Sequence, residues 1–223
     1  MRVLVIDIGG THVKVYSTGR REPLKIDSGP AMTPKELVNA VKARTSGWKY
    51  DVISIGYPGP VVHGKPLSEP ANLGKGWLGF DFEKAFGRPV KIINDAAMQA
   101  LGSYRGGHML FLGLGTGLGS ALVVDGVLEP MELAHLTYKH GKTFEEFVGT
   151  AALQRVGEKK WINNVFEVVA QLKKALQPEY VVLGGGNSRR LRTMPPEAIR
   201  GNNEDARKGG LRLWDRSRKR TRR

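Results

Sequence analysis

Two short segments of the chain have the residue types that hold phosphate groups. The first, DIGGTHVKV, spans residues 7–15, and the second, GLGTGLGSALVV, spans residues 113–124. Each follows an apolar run, is rich in Gly and Thr, and returns to alternating apolar residues. Asp7 to Thr11 lies over Gly113 to Gly117 at an offset of 106 residues. The pattern predicts the same strand–turn–strand unit twice in one chain.

A tight turn between two strands directs several backbone N–H groups towards one point, and glycine lets a phosphate come close to them. We expect two such turns to face each other across a cleft and hold a phosphate chain, with hydroxyl donors from Thr11 and Thr116. Asp7, at the end of its strand, would hold magnesium through water, because that ion keeps much of its hydration. The alternative is two ordinary glycine-rich hairpins with Asp7 as a turn residue.

Two better-known phosphate motifs are excluded by their spacing. A dinucleotide-binding fingerprint needs glycines that open a helix, whereas the last glycine here leads into SALVV. The segment HGKTF, residues 140–144, lacks the first glycine of a P-loop, because position 136 is Leu136.

Alternating strands and helices must position the two turns, and this alternation predicts an α/β protein. Capping boxes predict helices that start at TPKE, residues 33–36, and at TFEE, residues 143–146. Apolar spacing predicts a further helix over residues 162–177, which Pro178 ends. Runs of branched apolar residues predict strands at 2–7, 12–16, 51–56, 90–93, 108–113, 119–124 and 180–184.

Composition limits the class of protein. The chain has 223 residues, enough to bury a core as one large domain or two smaller ones, and no cysteine, which excludes disulfides, thiolate metal sites and thiol nucleophiles. Its first apolar run, VLVI, is too short for a membrane span, so we expect a cytoplasmic protein without a membrane partner.

The net charge of the chain, +14, favours a polyanionic partner. The last thirteen residues carry +6 of this charge, from seven basic residues and one Asp. That end is interpreted as a solvated tail, with nonspecific polyanion contact left open.

Six further segments, in order, resemble the ROK family (repressors, open reading frames, kinases) of the actin-like sugar-kinase and heat-shock ATPase superfamily. The resemblance covers residues 1 to about 190, and it is greatest to the subgroup of polyphosphate glucokinases. The matching segments are GYPGPV (56–61), ANLGKGW (71–77), INDAAMQALG (93–102), GTGLGSALVVDG (115–126), ELAHL (132–136) and VVLGGGNS (181–188).

The resemblance implies a duplicated actin-like (ribonuclease H-like) fold of the α/β class, with two lobes and a central cleft. Residues 1–94 would form the N-terminal lobe, joined by a C-terminal helix near 203–214. Residues 95–202 would form the C-terminal lobe, and residues 215–223 the basic tail.

The resemblance also implies phosphorylation of glucose to glucose 6-phosphate with magnesium (Mg2+), and it leaves a homodimer open. Asp95 would be the general base, since a positioned carboxylate orients the attacking hydroxyl and takes its proton. The sugar would be bound by Asn72, Asn94, Glu132 and His135. The phosphate donor would be bound by Asp7, Gly9, Gly10, Thr11, Lys14, Gly115, Thr116, Gly117, Gly184, Gly185 and Gly186.

Simpler explanations stand beside these assignments. Asn94 and Asp95 could cap the helix predicted at residues 96–104, and Glu132 and His135 could be a loop pair without a ligand. Many ROK proteins carry a cysteine-rich zinc segment, which this chain and the polyphosphate-using subgroup lack, so we expect no zinc. Ala134 replaces a usual glycine, which would place a methyl group near the sugar contacts, and His12 stands where a small residue is expected.

The donor is either inorganic polyphosphate or ATP. ATP would need an adenine slot, which Gly184 to Gly186 could form, whereas polyphosphate would need a basic track. Candidates for that track are Lys75, Lys139, Lys142, Arg155, Lys159, Lys160, Arg189, Arg190 and Arg192. The alternatives are an ATP-only hexose kinase and a non-catalytic actin-like protein that binds nucleic acid through its tail. ROK repressors carry a helix-turn-helix module ahead of such a core, and a first strand at residue 2 or 3 leaves no room for one.

Overall fold

Alternating apolar residues build two five-stranded sheets, one in each of two compact units of the chain. The computed structural model describes residues 1–20, 22–202 and 204–215. The first unit comprises Met1–Met98 with the residues from Ala206 onward, and the second comprises Gln99–Asp205. The predicted basic tail lies outside the described residues, apart from Asp215.

In the first unit, the five-stranded sheet has the order β3-β2-β1-β4-β7, and β5 and β6 form a separate small hairpin. Strand β1 is antiparallel to β2 and parallel to β4, and β4 is parallel to β7. The elements are β1 (Val3–Ile8), β2 (His12–Ser17), β3 (Leu24–Asp27), α1 (Pro34–Arg44), β4 (Val52–Tyr57), β5 (Val61–Val62), β6 (Lys65–Pro66), α2 (Phe82–Phe86), β7 (Val90–Asn94) and α3 (Asp95–Ser103), which continues into the second unit.

Alternation along β1 sends side chains to both faces of this sheet. Leu4, Ile6 and Ile8 pack with the apolar side of α1, whose predicted capping box is present: Thr33 and Glu36 each bond the other's backbone N–H. Val3 and Val5 pack in another cluster, with residues of α3 and of the last helix. Both faces of the sheet are therefore buried, as is typical of an α/β fold.

The second unit repeats this arrangement with a sheet of order β10-β9-β8-β13-β14 and a separate β11-β12 hairpin. Two 3-10 helices span Leu133–His135 and Gly186–Arg190. The other elements are β8 (His108–Leu114), β9 (Leu118–Val124), β10 (Val127–Met131), β11 (Thr137–Lys139), β12 (Lys142–Thr143), α4 (Glu145–Val148), α5 (Thr150–Val156), α6 (Glu158–Leu176), β13 (Tyr180–Gly184), β14 (Ala198–Arg200) and α7 (Asp205–Arg212), which returns the chain to the first unit.

The two sheets have the same connectivity. In each, the third, second and first strands form an antiparallel meander, and the fourth and fifth strands add in parallel beside the first. The prediction of a duplicated α/β fold is therefore confirmed. Helix α6 starts four residues before the predicted helix at 162 and buries Trp161, Val165 and Val169 against the second sheet.

One predicted cap is wrong. Helix α4 begins at Glu145 with Phe144 as its N-cap, and no side chain caps it. Glu146 does accept from the N–H of Thr143 at 2.8 Å, so half of the predicted box forms. Thr143 instead ends strand β12, where its backbone follows the hairpin rather than the helix.

Candidate active site

The first glycine-rich turn connects β1 to β2 through Gly9, Gly10 and Thr11. The Gly9 N–H donates to His12 O at 3.1 Å, and Ser28 Oγ donates to Gly9 O at 2.6 Å. Neither glycine has a left-handed φ. Glycine is needed here for space, because a Cβ on Gly9 would lie 2.8 Å from His12 O.

Asn72 lies directly against this turn, since a Cβ on Gly10 would be 3.0 Å from Asn72 Cβ. The loop that carries Asn72 is held by Glu69, whose carboxylate accepts from the N–H groups of Gly76 and Trp77 at 3.2 and 3.1 Å. Burial alone would raise the pKa of Glu69, but these hydrogen bonds outweigh it and lower the pKa. Trp77 itself is fully buried, so the GKGW segment acts as a scaffold that presents Asn72.

Two carboxylate residues meet over Gly56. In the sheet, Asp7 on β1 pairs in register with Gly56 on β4. A Cβ on Gly56 would lie 3.5 Å from Asp7 Oδ1 and 3.4 Å from Asp95 Cα. The absence of a side chain at this position brings the Asp7 carboxylate next to the start of helix α3.

Asn94 and Asp95, at the start of α3, have different roles. Asn94 Oδ1 accepts from the Ala97 N–H at 3.0 Å, and Asn94 Nδ2 donates to Gly59 O at 3.1 Å. Asp95 Oδ1 accepts from the Ala96 N–H at 2.8 Å. Asn94 therefore supplies the cap that reaches three residues along the helix. Asp95 is held at the first helical position, where the helix dipole favours a negative charge.

Lys14 is the cation opposite Asp7. The two residues are direct partners across β1 and β2, so their side chains leave the same face of the sheet. Burial raises the pKa of Asp7 above its usual range, and the charge of Lys14 opposes that rise only in part. Asp7 is thus a desolvated carboxylate that gains from a nearby positive charge.

The second glycine-rich turn, Gly115 to Gly117, is anchored by the elements that follow it. Thr150 Oγ1 donates to Gly115 O at 2.8 Å, and the Thr150 N–H lies 3.1 Å from Gly115 O. Asn187 Nδ2 bonds both Gly115 O, at 3.3 Å, and Thr150 Oγ1, at 2.9 Å. The start of α5 and the 3-10 helix after β13 therefore fix the backbone of this turn.

Three acidic and imidazole side chains lie beside that turn in the second unit. Glu145 Oε2 accepts from the Leu118 N–H at 3.1 Å and would be in collision with a Cβ on Gly117. Glu132 and His135 are exposed and their charged atoms are 3.7 Å apart. Burial raises the pKa of Glu132; the charge of His135 opposes the rise and that of Glu145 adds to it. Glu145 thereby connects the turn to the Glu132–His135 pair.

The expectation for Ala134 is wrong. Its side chain is 2% exposed and belongs to the hydrophobic core of the second unit, whereas Glu132 and His135 on either side are exposed. The methyl group packs inward, because the 3-10 helix turns positions 133 and 134 towards the core.

The three glycines at the end of β13, Gly184 to Gly186, differ in the space around them. A Cβ on Gly184 would lie 2.5 Å from the Phe111 ring, and Gly185 has a φ of 78° and lies against the Leu114 backbone. Only a Cβ on Gly186 would meet open space among these three. Packing explains the glycine at positions 184 and 185, and Gly186 alone leaves room for a ligand.

Several predicted basic contacts already have protein partners. Lys139 Nζ is 2.7 Å from Glu167 Oε2, and Arg190 NH1 is 2.9 Å from Glu158 Oε2. His12 Nε2 is exposed and 3.6 Å from Asp27 Oδ1. The remaining candidates for a basic track, as far as the structure describes their surroundings, are exposed surface cations.

The described part of the chain contains no cluster of three or more His, Asp or Glu residues that would hold a metal by itself. It also contains no helix with the length and apolarity to cross a bilayer. Sequence reasoning missed four residues that shape the site: Ser28, Glu69, Thr150 and Asn187. Ser28, Thr150 and Asn187 bond backbone that is 19, 35 and 72 residues away, so no local pattern marks them. Glu69 bonds N–H groups seven to nine residues further on, within one irregular loop.

Comparisons with known proteins show the family to which the chain belongs. Residues 3–129 match the model of the ROK family. The chain is 32% identical over 200 residues to a polyphosphate glucokinase of Mycobacterium tuberculosis, covering 81% of this chain and 69% of that protein. A polyphosphate glucokinase of Mycobacterium leprae is 28% identical over 206 residues, covering 84% and 60%. This chain therefore belongs to the ROK family.

Solved structures give the same fold. A polyphosphate/ATP-glucomannokinase from Arthrobacter sp. strain KM superimposes with a TM-score of 0.78 at 27% identity, covering 93% of this chain and 96% of that one. A ROK family glucokinase from Streptomyces griseus, solved with glucose and AMPPNP, gives 0.75 at 17% identity and 96% and 99% coverage. The second similarity concerns the fold alone.

Proposed function

We propose that this protein phosphorylates glucose to glucose 6-phosphate in the cytoplasm, with inorganic polyphosphate or ATP as donor. The observation that carries the proposal is the meeting of Asp7 and Asp95 over Gly56, beside a turn that Asn72 contacts. A sugar kinase needs a carboxylate for the acceptor hydroxyl and a second group near the donor phosphates. Relatives named for polyphosphate glucokinase activity support the choice of glucose.

Asp95 is the general base in this mechanism. A sugar hydroxyl is a poor nucleophile, and phosphoryl transfer depends mostly on alignment and charge neutralisation. The Ala96 N–H, which donates to Asp95 Oδ1 at 2.8 Å, fixes the Asp95 carboxylate at the start of α3. It accepts a hydrogen bond from the attacking hydroxyl and takes the proton as the new P–O bond forms.

In the first unit, two asparagine side chains orient the sugar. Asn72 presents an exposed amide beside the first turn. Asn94 uses one lone pair and one N–H in capping and in the bond to Gly59, which leaves its second lone pair and second N–H for a sugar hydroxyl. In the second unit, Glu132 and His135 are the sugar-binding residues that we propose, and Glu145 holds the second turn through the Leu118 N–H.

In the first turn, the backbone N–H groups of Gly10 and Thr11 bind donor phosphate, because the Gly9 N–H already bonds His12 O. In the second turn, the N–H groups of Thr116 and Gly117 do so, because the Gly115 N–H bonds Gly117 O, and Gly186 leaves open space after β13. Asp7 fits a hydrated magnesium ion, because it is a desolvated carboxylate whose raised pKa indicates a need for positive charge. Bound there, Mg2+ would neutralise charge on the donor. Lys14, on the same face as Asp7, adds a second positive charge for the phosphates.

A coupled assay for glucose 6-phosphate, with ATP and with polyphosphate in separate tubes, tests the proposal directly. Activity with either donor that is lost in EDTA is expected. Activity with ATP alone would make the enzyme an ATP-dependent hexose kinase, and no phosphorylation of glucose by either donor would overturn the proposal.

The basic end of the chain gives a separate test of donor binding. Removal of residues 215–223 deletes six Arg or Lys residues and Asp215. We expect the KM for polyphosphate to rise by only a few-fold, on the order of what a loss of a few screened surface charges produces. A much larger rise would assign the polymer to the tail, and loss of RNA binding without any change in KM would support nucleic-acid contact by the tail.

A further inference from the structure

A cavity of about 510 Å³ opens in the first unit, at the end of the sheet opposite to Asp7. Its lining includes Arg2, Lys42, Lys49 and Arg88, and Asp51 is the one acidic residue that lines it within the described chain. Four cations around one carboxylate leave an excess of three positive charges. We propose that this cavity is an anchoring site for a distal part of a polyphosphate chain, an inference that rests on the proposed function.

The hydrogen bonds in the cavity leave donors for an anion. Lys42 Nζ gives one bond to Ala85 O at 2.5 Å, and Arg88 gives one to Gly87 O at 3.0 Å. An ammonium has three N–H donors and a guanidinium has five, so most of these donors remain. Lys49 makes no ion pair or hydrogen bond with any residue that the structure describes.

Asp51 already pairs with Arg2, so it does not neutralise the other three cations of the cavity. Its Oδ2 accepts from the Arg2 N–H at 2.7 Å, and its Oδ1 is 3.7 Å from the Arg2 guanidinium. That backbone bond, with smaller contributions from the charges of Arg2 and Arg88, lowers the pKa of Asp51. Lys42, Lys49 and Arg88 therefore present a net positive surface to the cavity.

The position of the cavity favours a phosphate polymer over a compact phosphate ester as its ligand. Arg2 precedes β1 and Asp51 precedes β4, whereas Asp7 and Gly56 lie at the far ends of the same strands. The five residue-to-residue steps from Arg2 to Asp7 span about 17 Å in an extended strand. A ligand that engages both the first turn and this cavity must follow the surface over a longer distance than that, which a long phosphate chain can do.

A second contact on the same polymer raises its effective concentration at the first contact. The cavity is therefore expected to lower the KM for long-chain polyphosphate while leaving the KM values for tripolyphosphate and ATP unchanged. Arg20, whose guanidinium lies 4.4 Å from the ring centre of Trp48, adds positive charge at the wall, and Trp48 supplies a fluorescence signal inside the cavity.

The test compares Lys49→Gln/Arg88→Gln with the control Lys65→Gln/Lys174→Gln, which removes the same charge from exposed positions outside the cavity. Long-chain polyphosphate binding is measured without glucose, by calorimetry and by tryptophan fluorescence. KM is measured with long-chain polyphosphate, tripolyphosphate and ATP. We expect binding of the long chain to weaken about fivefold to tenfold in the cavity variant alone, as loss of bivalent contact predicts. The salt dependence of log K should fall by about 1.4 to 1.8, that is about 0.7 to 0.9 for each of the two cations removed.

Equal long-chain binding and KM in the cavity variant and the control would overturn the inference. Weakened binding of an RNA oligonucleotide without weakened binding of polyphosphate would also overturn it, in favour of a nucleic-acid site. Weakened polyphosphate binding in a protein that does not phosphorylate glucose from polyphosphate would support the cavity and refute the proposed donor. If the double variant fails to fold, Lys49→Gln alone, at an exposed side chain, retains the binding test.

Discussion

Asp7 pairs in register with Gly56 in the first sheet, and Gly113 pairs with Gly184 at the matching place in the second. The two sheets have the same strand order, so these four positions correspond. Gly56 makes room for the Met98 methyl group, the start of α3 and the Asp7 carboxylate, whereas Gly184 makes room for the Phe111 ring. The same glycine in the same strand thus admits an apolar side chain in both halves, and in the first half a carboxylate is also among its nearest neighbours.

The helices that follow the fifth strands extend the comparison. Helix α3 starts with Asp95, which is half-buried, and α7 starts with Asp205, which is 5% exposed. Asp205 Oδ2 accepts from the Asn202 N–H at 2.6 Å and lies against Gly201, so it closes its own loop. The duplicated fold therefore has an Asp at the start of the corresponding helix in both halves. The local packing determines whether that carboxylate is exposed to a ligand, as Asp95 is in part, or buried, as Asp205 is.

The largest expected effect is that of Asp95→Asn. This change keeps the shape of the side chain and leaves the Asn94 cap intact, but it removes the proton acceptor. Turnover should fall by on the order of 100-fold or more, measured as kcat in the coupled assay, with an unchanged melting temperature. The matched variant Asp205→Asn should instead lose about 1 to 2 kcal/mol of stability and keep kcat within a few-fold. Near-normal turnover in Asp95→Asn would remove Asp95 from the catalytic role.

The two turns are compared by Gly10→Val and Gly117→Val. Both add bulk in the proposed phosphate path and should raise the donor KM by about tenfold or abolish activity, as loss of donor binding would. Gly10→Val also pushes on Asn72, so it should raise the glucose KM as well. The new side chain in Gly117→Val meets the flexible end of Glu145, so its effect on glucose should be smaller. Steady-state kinetics in which each substrate is varied in turn separates the effect on the donor KM from the effect on the glucose KM. Equal glucose KM values in the two variants would contradict the placement of Asn72 beside the first turn.

Asp7→Asn should weaken activity yet stabilise the fold. The pKa of Asp7 is raised in the folded state, so ionisation of Asp7 costs stability; the loss begins as the pH rises through the ordinary pKa of an Asp in the unfolded chain and is complete above the raised pKa. Removal of the charge should add on the order of 1 kcal/mol, or about 2 to 4 °C in melting temperature, at neutral pH. The gain should disappear as the pH falls towards the ordinary range of an Asp carboxyl, where both states bind the proton. The control Asp27→Asn, at an exposed carboxylate, should change little; a lower melting temperature for Asp7→Asn at neutral pH would contradict the desolvation argument.

The smallest expected effect compares two helix starts with similar sequences. Thr33→Ala removes a complete capping box and should cost about 1 kcal/mol. Thr143→Ala removes only the hydroxyl's bond to Glu146, since Thr143 does not cap α4, and should cost roughly a third of that or less. Urea denaturation of the two variants measures the difference, and equal costs would indicate that Thr143 caps α4 in solution.

The sequence predicted the seven strands with long branched apolar runs, because burial on both faces leaves a strong apolar pattern. Strands β3, β10 and β14 escaped prediction because they lie towards the edges of the sheets and carry mixed residues; β10 even contains Pro130. Edge strands bury less, so the pattern that identifies a central strand is weaker in them. Strand β7 also lies at an edge, but it keeps three branched apolar residues and was predicted.

The candidate site was predictable to the level of segments, and its geometry was not. The motif INDAA indicated a polar helix start, but only the fold shows that Asn94 caps the helix while Asp95 is held beside it. The anchor of the second turn, Asn187, is 72 residues from its partner Gly115. The direction of the Ala134 methyl likewise depends on core packing that no neighbouring residue reveals.

The return of the chain to its first unit has a consequence for how the protein is made. Backbone from α7 completes that unit: Ser54 Oγ donates to Gly210 O at 2.6 Å, and a Cβ on Gly210 would collide with the Val5 side chain. On the ribosome, residues 1–98 therefore emerge long before the segment that covers Val5 and Ser54 is synthesised. The second unit, which is continuous in sequence, is available to fold first. A nascent chain that stalls before residue 206 would expose one apolar face of its first sheet to chaperones or to aggregation.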